Sequence, residues 1–285
     1  MTVDTEGVTV PNHRPAWAPD EVDIERPSAA RMYDFYLGGS YNFAADRALA
    51  EENLKNWPDM PHIARANRDF LHRAVTYLSG LGVDQFLDLG SGIPTGGNTH
   101  DIALSLNPRS RTVYVDMDPV AIAHSIVLLQ DVPNATVVHA DLRDVDAVMK
   151  HSVVPDFLDV TRPIGVIMLA VLHFVSIEDD APALVGAYRD ATSQGSYLAV
   201  SHGTADYQPV SARGASEVYS RASHQLVFRS KAEVAQLFTG YDLVEPGLVD
   251  IIHWRPELTG DRPDPLEGDV ARYSGYVGVG RKPAP

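Results

Sequence analysis

Apolar residues recur with two different periods, and the change between them divides the chain into two parts. Up to about residue 82 the period is helical: in the stretch 61–82, Ile63, Ala66, Phe70 and Ala74 fall three or four residues apart, as on one face of a helix. Helical composition and glycine or proline stops mark two further stretches before this one. The N-terminal part is therefore predicted to contain three helices, at 28–39, 43–57 and 61–82.

Beyond residue 82, short apolar runs rich in β-branched residues alternate with helical stretches. The predicted strands are 85–90, 111–116, 135–141, 163–172, 196–202, 241–249 and 272–282. The predicted helices are 97–107, 119–130, 143–151, 179–192, 216–223 and 230–238. This alternation is typical of a parallel sheet covered by helices on both faces, which binds its ligand at the carboxyl ends of the strands. The last two strands are expected to form an antiparallel pair at one edge.

Two helix starts carry recognisable caps. Ser28 is expected to cap the first predicted helix, and Ser230 with Glu233 three residues later forms a capping box. Residues 1–25 are acidic and contain proline, which predicts an N-terminal arm that is flexible or wraps over the surface. We predict one domain over 26–283, made of a helical cap at 26–82 and a core at 83–283.

Composition removes several classes of function. The chain of 285 residues contains no cysteine, which excludes disulfides, thiolate nucleophiles and zinc–thiolate sites. Its net charge of −15 is spread along the chain and disfavours binding to nucleic acid. The longest apolar run, 164–172, is too short to span a bilayer. A cytoplasmic enzyme acting on a small molecule is the expectation, with no predicted metal site and an undetermined oligomeric state.

A glycine-rich turn follows the first strand. Gly90 and Gly92 match the start of the dinucleotide fingerprint, but Thr95 stands where a third small residue would let the helix approach the strand. Pro94 lacks a backbone N–H that could have bound a pyrophosphate. A Gly-x-Gly pair also occurs in ordinary strand–helix turns, so the turn alone does not establish a nucleotide site.

Acidic residues in three successive strands strengthen the case. Asp88 lies inside the first strand, where a buried carboxylate needs a cationic or hydrogen-bonding partner near the turn. Asp116 ends the second strand, where a carboxylate can accept both hydroxyls of a ribose. Asp141 ends the third, although each acid alone would be an ordinary turn residue. The set favours a nucleoside that carries a cationic or neutral group rather than a pyrophosphate.

These stretches resemble class I S-adenosylmethionine-dependent methyltransferases in "FLDLGSG", "VYVDMDP" and "HADLRD". Over about 26–283 the chain resembles more narrowly an actinobacterial methyltransferase-like family long carried as a domain of unknown function. The motifs that carry this narrower resemblance are "PSAARMYDFYLGG", "ARANRDFLHRAV", "QFLDLGSGIPTGGNTH", "AVLHFV", "GSYLAVSH" and "EPGLV" with "WRP". The resemblance implies a Rossmann-like, doubly wound, mainly parallel α/β sheet of seven strands with an antiparallel edge strand and an N-terminal helical cap.

The resemblance also implies a cofactor, S-adenosyl-L-methionine, with S-adenosyl-L-homocysteine as the product. Gly90, Ser91 and Gly92 would line its methionine moiety and ribose, beside Asp88. Asp116 would accept hydrogen bonds from the ribose hydroxyls.

The remaining positions that the resemblance assigns follow the second, third and fourth strands. Met117 would lie beside the adenine, and Asp141 with Leu142 would meet the adenine edge. Ala170 and Val171 would line the reactive end of the cofactor. The family's acceptors are largely unknown, so the resemblance does not supply a substrate.

Methyl transfer from a sulfonium is an in-line displacement, for which alignment matters most and a general base is optional. His173, after the fourth strand, is the candidate base, and His202, after the fifth, is a second. For His173 the alternative is a structural histidine that hydrogen-bonds a loop. No Asp/Asn-Pro-Pro-Tyr/Phe motif follows the fourth strand, and no cysteine is present, which disfavours two classes of nucleic-acid methylation.

Tyr33, in a stretch rich in Tyr, Arg and Asp, could belong to a lid over the cofactor, or the stretch could simply bury an apolar helix face. Asn67 and Arg68 could reach the methionine carboxylate, with a solvated helix face as the alternative for Arg68. Methylation of an oxygen or nitrogen of a small molecule is the expected activity. A protein that binds the cofactor without turnover is the alternative, and an NAD-dependent oxidoreductase is disfavoured by Pro94 and Thr95.

Overall fold

The structure is a computed structural model that describes residues 2–3, 9–10, 14–20, 22–94, 96–260 and 263–284. Thr95 and much of the predicted arm therefore lie outside the described residues. Within the arm, Thr2–Val3 pairs antiparallel with Thr9–Val10.

Within the described residues, eight strands form the main sheet. They are β1 (Gln85–Leu89), β2 (Arg111–Asp116), β3 (Ala135–His139), β4 (Gly165–Leu169), β5 (Tyr197–Gly203), β6 (Asp242–Leu243), β7 (Val249–Asp250) and β8 (Gly275–Arg281). Their order is β3-β2-β1-β4-β5-β8-β6, and β7 also pairs with β8. The first five strands run parallel, and β8 is antiparallel to β5, β6 and β7. The short strands β6 and β7 both pair with the same edge of β8 and together take the place of one strand. The predicted mainly parallel sheet of seven strands with an antiparallel edge is therefore confirmed.

Helices cover the sheet and its carboxyl edge. They are α1 (Ala29–Tyr36), α2 (Ala44–Asn56), α3 (Met60–Gly80), α4 (Thr99–Leu106), α5 (Pro119–Leu129), α6 (Val145–Met149), α7 (Val153–Phe157), α8 (Ala181–Ala191), α9 (Pro209–Tyr219), α10 (Lys231–Gln236) and α11 (Val270–Tyr273). Short 3₁₀ helices occupy Leu172–Phe174 and Pro256–Thr259. No helix among the described residues is long and apolar enough to cross a membrane.

Several element predictions were wrong in detail. The strand expected at 272–282 begins only at Gly275, because Val270–Tyr273 forms α11. The helix expected at 216–223 spans Pro209–Tyr219, because proline is well suited to the first turn of a helix. The strand expected at 241–249 is two short strands, separated by a turn in which Gly247 N–H donates to the Val244 carbonyl. The helix expected at 143–151 ends at Met149, and α7 follows.

The period of two in the strands separates two cores. Leu87 and Leu89 of β1 point into the core that contains α8 and α10, whereas Phe86 points into the core beneath α3 and α4. Asp88 therefore shares a face with Phe86, on the side of α3 and α4. This alternation fixes which helices can supply partners to a polar residue in β1.

The N-terminal helices divide between two tasks. Helix α3 buries Phe70 and Ala74 against the sheet. Helices α1 and α2 pack on each other and on α9, with Met32 fully buried between them. Residues Trp17 and Val22, in the described part of the predicted arm, pack against α5.

A buried carboxylate joins the first two helices. Asp46 is 0% exposed and accepts hydrogen bonds from Ser28 N, Phe43 N and Arg31 Nε. Burial raises the pKa of Asp46, and the nearby Arg31 guanidinium opposes that rise. The three donors explain why a charge is tolerated here.

We expect Asp46→Asn to lower the free energy of unfolding by about 3 kcal/mol, because breaking a buried ion pair leaves its partner poorly compensated. Urea denaturation measures the change. Glu52→Gln removes the exposed ion pair with Arg221 and is the matched control, with little expected change. Equal stability of the two variants would show that Asp46 does not hold the cap.

Candidate active site

A cavity of about 560 Å³ lies where the strand order reverses, between the carboxyl ends of β1 and β4. Every residue predicted for the site lines it. They are Tyr33, Arg68, Asp88, Gly90, Ser91, Gly92, Asp116, Met117, Asp141, Leu142, Ala170, Val171 and His173. The fold therefore brings together residues from α1, α3 and four strand ends.

The glycine turn after β1 contacts Val171 after β4 and Asp116 at the end of β2. Gly90 has φ of +70°, and a Cβ atom there would overlap the Val171 side chain, so only glycine fits. Gly92 N–H donates to Asp116 Oδ2 at 2.7 Å. The neighbouring Ser91 Oγ is buried with no hydrogen-bond partner among the described residues.

Asp116 ends β2 with its carboxylate almost buried. Besides Gly92 N–H, it accepts a hydrogen bond from Asp118 N–H at 2.8 Å. Burial raises the pKa of Asp116 to about 6, although these backbone donors oppose the rise. The carboxylate is therefore ionised at neutral pH and faces a cavity in which a ligand could supply further donors.

Asp88 has the hydrogen-bonding partner that its position required. Thr99 at the start of α4 donates its hydroxyl to Asp88 Oδ2 at 2.6 Å. Burial raises the pKa of Asp88 to about 6, and Arg68 opposes this while Asp116 adds to it. Asp88 and Asp116 thus form a pair of costly buried carboxylates on one side of the cavity.

Asp141 differs, because its carboxylate is already paired. Arg143 binds it through Nε and Nη2, at distances down to 2.6 Å. Burial raises the pKa of Asp141, but the Arg143 hydrogen bonds outweigh it and lower the pKa. The Leu142 carbonyl accepts a hydrogen bond from the Tyr188 hydroxyl at 2.7 Å.

A chain of hydrogen bonds connects the cap to the turn after β4. Asn67 Nδ2 donates to the Tyr33 hydroxyl, which donates to the Ala64 carbonyl. Ser201 Oγ donates to Asn67 Oδ1 at 2.5 Å and accepts from Ala170 N–H at 2.8 Å. Ala170 has φ of +51°, an uncommon conformation for alanine that these bonds help to hold.

Three residues that the sequence placed near the cofactor already have partners within the protein. The Tyr33 hydroxyl is committed to Ala64 and Asn67, and Asn67 is committed to Ser201. Arg68 places Nη2 within 2.9 Å of the Gly96 and Gly97 carbonyls, so it braces the loop before α4.

The two histidines have different surroundings. His202 Nε2 accepts a hydrogen bond from Arg229, and His202 Nδ1 lies 2.8 Å from the Gly203 carbonyl, which together fix a neutral tautomer. Burial lowers the pKa of His202 to about 4. His173 Nδ1 has no hydrogen-bond partner among the described residues. Burial, His202 and Arg229 hold the pKa of His173 well below its usual value, so it is also neutral at pH 7.

Ser28 shows what the sequence did not reveal. It occupies the N-cap position of α1 but makes no side-chain cap bond, so the predicted cap was wrong. Its hydroxyl donates to Asp118 instead, and Arg31 Nη1 lies 3.3 Å from the same carboxylate. Asp118 also caps α5 by accepting from Val120 N–H. These contacts join positions about 90 residues apart, which local patterns cannot indicate.

The described residues contain no group of three or more His, Asp or Glu side chains arranged to hold a metal ion.

Comparison with known proteins gives a consistent result. The chain matches the family model described as S-adenosyl methyltransferase over residues 15–283. A candidate methyltransferase from Thermobifida fusca YX has a solved structure that is 38% identical, with a TM-score of 0.87 covering 95% of this chain and all of that chain. A DUF574 family protein from Streptomyces avermitilis MA-4680 is 37% identical, with a TM-score of 0.85 covering 92% of this chain and 99% of that chain. No curated protein matches the chain.

We expect Asp88→Asn to stabilise the ligand-free protein at pH 8. A pKa raised from 3.8 to about 6 means that ionised Asp88 costs stability, which is regained as the pH falls through 6 and the carboxyl protonates. Removing that charge should raise the free energy of unfolding by about 1–3 kcal/mol at pH 8, a range that allows for the altered hydrogen bond to Thr99. At pH 4 the free energy of unfolding should hardly change. Thermal unfolding at the two pH values measures this; a variant less stable than the parent at pH 8 would contradict it.

Proposed function

The chain belongs to the S-adenosyl methyltransferase family, and we propose that it methylates an oxygen or nitrogen atom of a small molecule in the cytoplasm. Its family match and the two solved relatives make it an S-adenosyl-L-methionine-dependent methyltransferase. The observation that supports a small acceptor is the cavity, whose walls include the cap helices as well as the strand ends.

The residues at the strand ends fit the cofactor. The cavity volume of about 560 Å³ lies within the range of small-molecule sites, about 300–1,000 Å³. Asp116 offers an ionised carboxylate for the ribose hydroxyls, and the unpartnered Ser91 Oγ can bond to the same ligand. Asp88 supplies negative charge beside the methionine end, where the ligand carries cationic groups.

The bound cofactor supplies an electrophilic methyl group on a sulfonium. The chain's own contribution is alignment and exclusion of water, which is where most of the rate enhancement of such a displacement can arise. The turn at Gly90 lies directly against Val171, which follows Ala170, and both turns line the cavity. We propose that Ala170 and Val171 position the reactive end, and that Met117, Asp141 and Leu142 surround the adenine.

The cap excludes large acceptors in this proposal. The cavity is lined by Asn53 of α2, by Trp57 directly after that helix, by Ala64 of α3 and by Tyr219 of α9. A nucleic-acid or protein chain would have to displace these helices, and the acidic surface would repel a nucleic acid. A small molecule can be enclosed without such a rearrangement.

His173 is the proposed general base. It lines the cavity next to Ala170 and Val171, it is neutral at pH 7, and no described residue forms a hydrogen bond with its Nδ1. A neutral imidazole can accept the proton that a hydroxyl or amine loses on methylation. His202 is less suited, because Arg229 and Gly203 already engage its two nitrogens.

The proposal is tested by transfer of label from methyl-tritiated cofactor. The purified protein is incubated with a fractionated extract of small metabolites and, in parallel, with RNA, DNA and protein fractions. We expect label in a small-molecule fraction alone. Binding of S-adenosyl-L-homocysteine without labelling of any fraction would favour a protein that binds the cofactor without turnover.

Asp116→Ala is expected to weaken binding of S-adenosyl-L-homocysteine by roughly 10- to 100-fold, the worth of a charge-assisted bidentate contact. Isothermal titration calorimetry measures the affinity, and circular dichroism checks that the fold is retained. The exposed Asp131→Ala at the end of α5 is the control and should bind normally. Unchanged affinity in Asp116→Ala would remove the ribose role.

His173→Gln is expected to lower kcat by on the order of 100-fold while leaving cofactor affinity unchanged, since glutamine can hydrogen-bond but cannot take the proton. Single-turnover kinetics with an identified acceptor measure the effect. The exposed His151→Gln is the matched control. A variant of His173 with normal kcat would leave this residue a structural role.

A further inference from the structure

Part of the cavity wall is made by helices rather than by the sheet. Trp57 and Met60 come from the end of α2 and the start of α3, and Tyr219 comes from α9. Leu226 and Phe228 follow α9 in a segment tied back to the site, because Val227 N–H donates to the His173 carbonyl at 2.8 Å. We call the wall formed by Trp57, Met60, Phe174, Tyr219, Leu226 and Phe228 the aromatic lobe; all six line the cavity.

The rings of the aromatic lobe form two contacting pairs. The ring centroids of Trp57 and Phe228 lie 5.7 Å apart, and those of Phe174 and Tyr219 lie 5.8 Å apart. Leu226 packs in the same apolar clusters as both pairs, so the wall is continuous.

Gly203 brings the aromatic lobe next to the proposed base. A Cβ atom at Gly203 would lie 3.3 Å from the Phe228 ring and 3.9 Å from His173 Nδ1. The His173 and Phe174 rings are 4.5 Å apart. A molecule lying on this wall would therefore be beside His173.

The charged residues that line the cavity all lie outside the aromatic lobe. They come from the N-terminal segment, α1, α3, the strands β1 and β2, and the turns after β2 and β3. They are Asp23, Arg26, Arg31, Arg68, Asp88, Asp116, Asp118, Asp141 and Arg143. None belongs to the aromatic lobe, where a charged ligand group would lose its hydration without gaining a partner.

Two polar atoms beside this wall lack partners. Asn53 and Trp57 are 0% and 3% exposed, and neither Asn53 Oδ1 nor Trp57 Nε1 has a hydrogen-bond partner among the described residues. Unsatisfied buried polar groups are costly and need a reason. The indole N–H and the amide oxygen can each bond to a polar group of a ligand, and a hydroxyl suits either one because it both donates and accepts.

We propose that the aromatic lobe binds the methyl acceptor and that this acceptor is an uncharged aromatic molecule carrying a hydroxyl group. The inference rests on the proposed function and specifies its substrate class. In the reaction, the hydroxyl oxygen forms a bond to the methyl carbon, and the carbon–sulfur bond breaks with its electron pair passing to sulfur. His173 accepts the hydroxyl proton.

The test uses 1-naphthol and 1-naphthoate, which have the same ring system but differ in charge at pH 7. Each is titrated calorimetrically into the protein saturated with S-adenosyl-L-homocysteine. We expect 1-naphthol to bind at least about tenfold more tightly, because the carboxylate must be desolvated against uncharged walls. Equal or tighter binding of 1-naphthoate, or no binding of 1-naphthol while S-adenosyl-L-homocysteine binds normally, would overturn the proposal.

Variants locate the binding. Trp57→Ala and Phe228→Ala should each weaken 1-naphthol binding by on the order of five- to tenfold and leave the affinity for S-adenosyl-L-homocysteine unchanged, which also verifies folding. Phe157→Ala, on α7 beside Arg111, is the control for loss of an aromatic ring elsewhere. Normal 1-naphthol binding in both lobe variants would overturn the assignment.

The proposed function and the proposed acceptor class can fail separately. If S-adenosyl-L-homocysteine does not bind the unmodified protein, the proposed function fails. The same 1-naphthol titration without it still measures the aromatic lobe, and failure there overturns the acceptor class alone.

Discussion

The burial of two carboxylates at adjacent strand ends is the constraint on which the site depends. Asp88 and Asp116 are both almost withdrawn from solvent, and neither has a salt-bridge partner within the described part of the chain. Each must be stabilised by placed donors: Thr99 for Asp88, and two backbone N–H groups for Asp116. Because one of those groups belongs to Gly92, the conformation of the glycine turn and the ionisation of Asp116 are linked.

A third carboxylate, Asp118, links this part of the site to the N-terminal helices. Asp118 caps α5, accepts a hydrogen bond from the Ser28 hydroxyl and forms an ion pair with Arg31. Arg31 also forms an ion pair with Asp46. Asp46 and Asp118 thus share the guanidinium of Arg31, which anchors α1 both to α2 and to the turn after β2. The turn after β2, which itself lines the cavity, therefore also positions α1 over the cavity.

The sequence predicted what depends on local periodicity and missed what depends on distant pairs. The bounds of β2 agree with the structure, because its apolar run ends at a polar residue on both sides. Alternation predicted the mainly parallel sheet, and the acidic residues predicted at its strand ends do lie together in the cavity lining. The partners could not be predicted: Ser201 meets Asn67 across 134 positions, and Ser28 meets Asp118 across 90. These contacts exist only once α1 and α3 pack over the sheet edge.

Polarity divides the cavity in a way that suits transfer between a cation and a neutral acceptor. Carboxylates near β1 and β2 favour positive charge there, whereas the aromatic wall near α2 and α9 offers no charge to a ligand. An uncharged hydroxyl must lose its proton as it is methylated, and a histidine held neutral is available to take it. Arg229 contributes to that state: it donates to the Leu172 and Val175 carbonyls on either side of His173, and its charge lowers the pKa of that histidine. The guanidinium therefore helps to hold the position of the proposed base, and its charge adds to the effect of burial and His202 in keeping that histidine unprotonated.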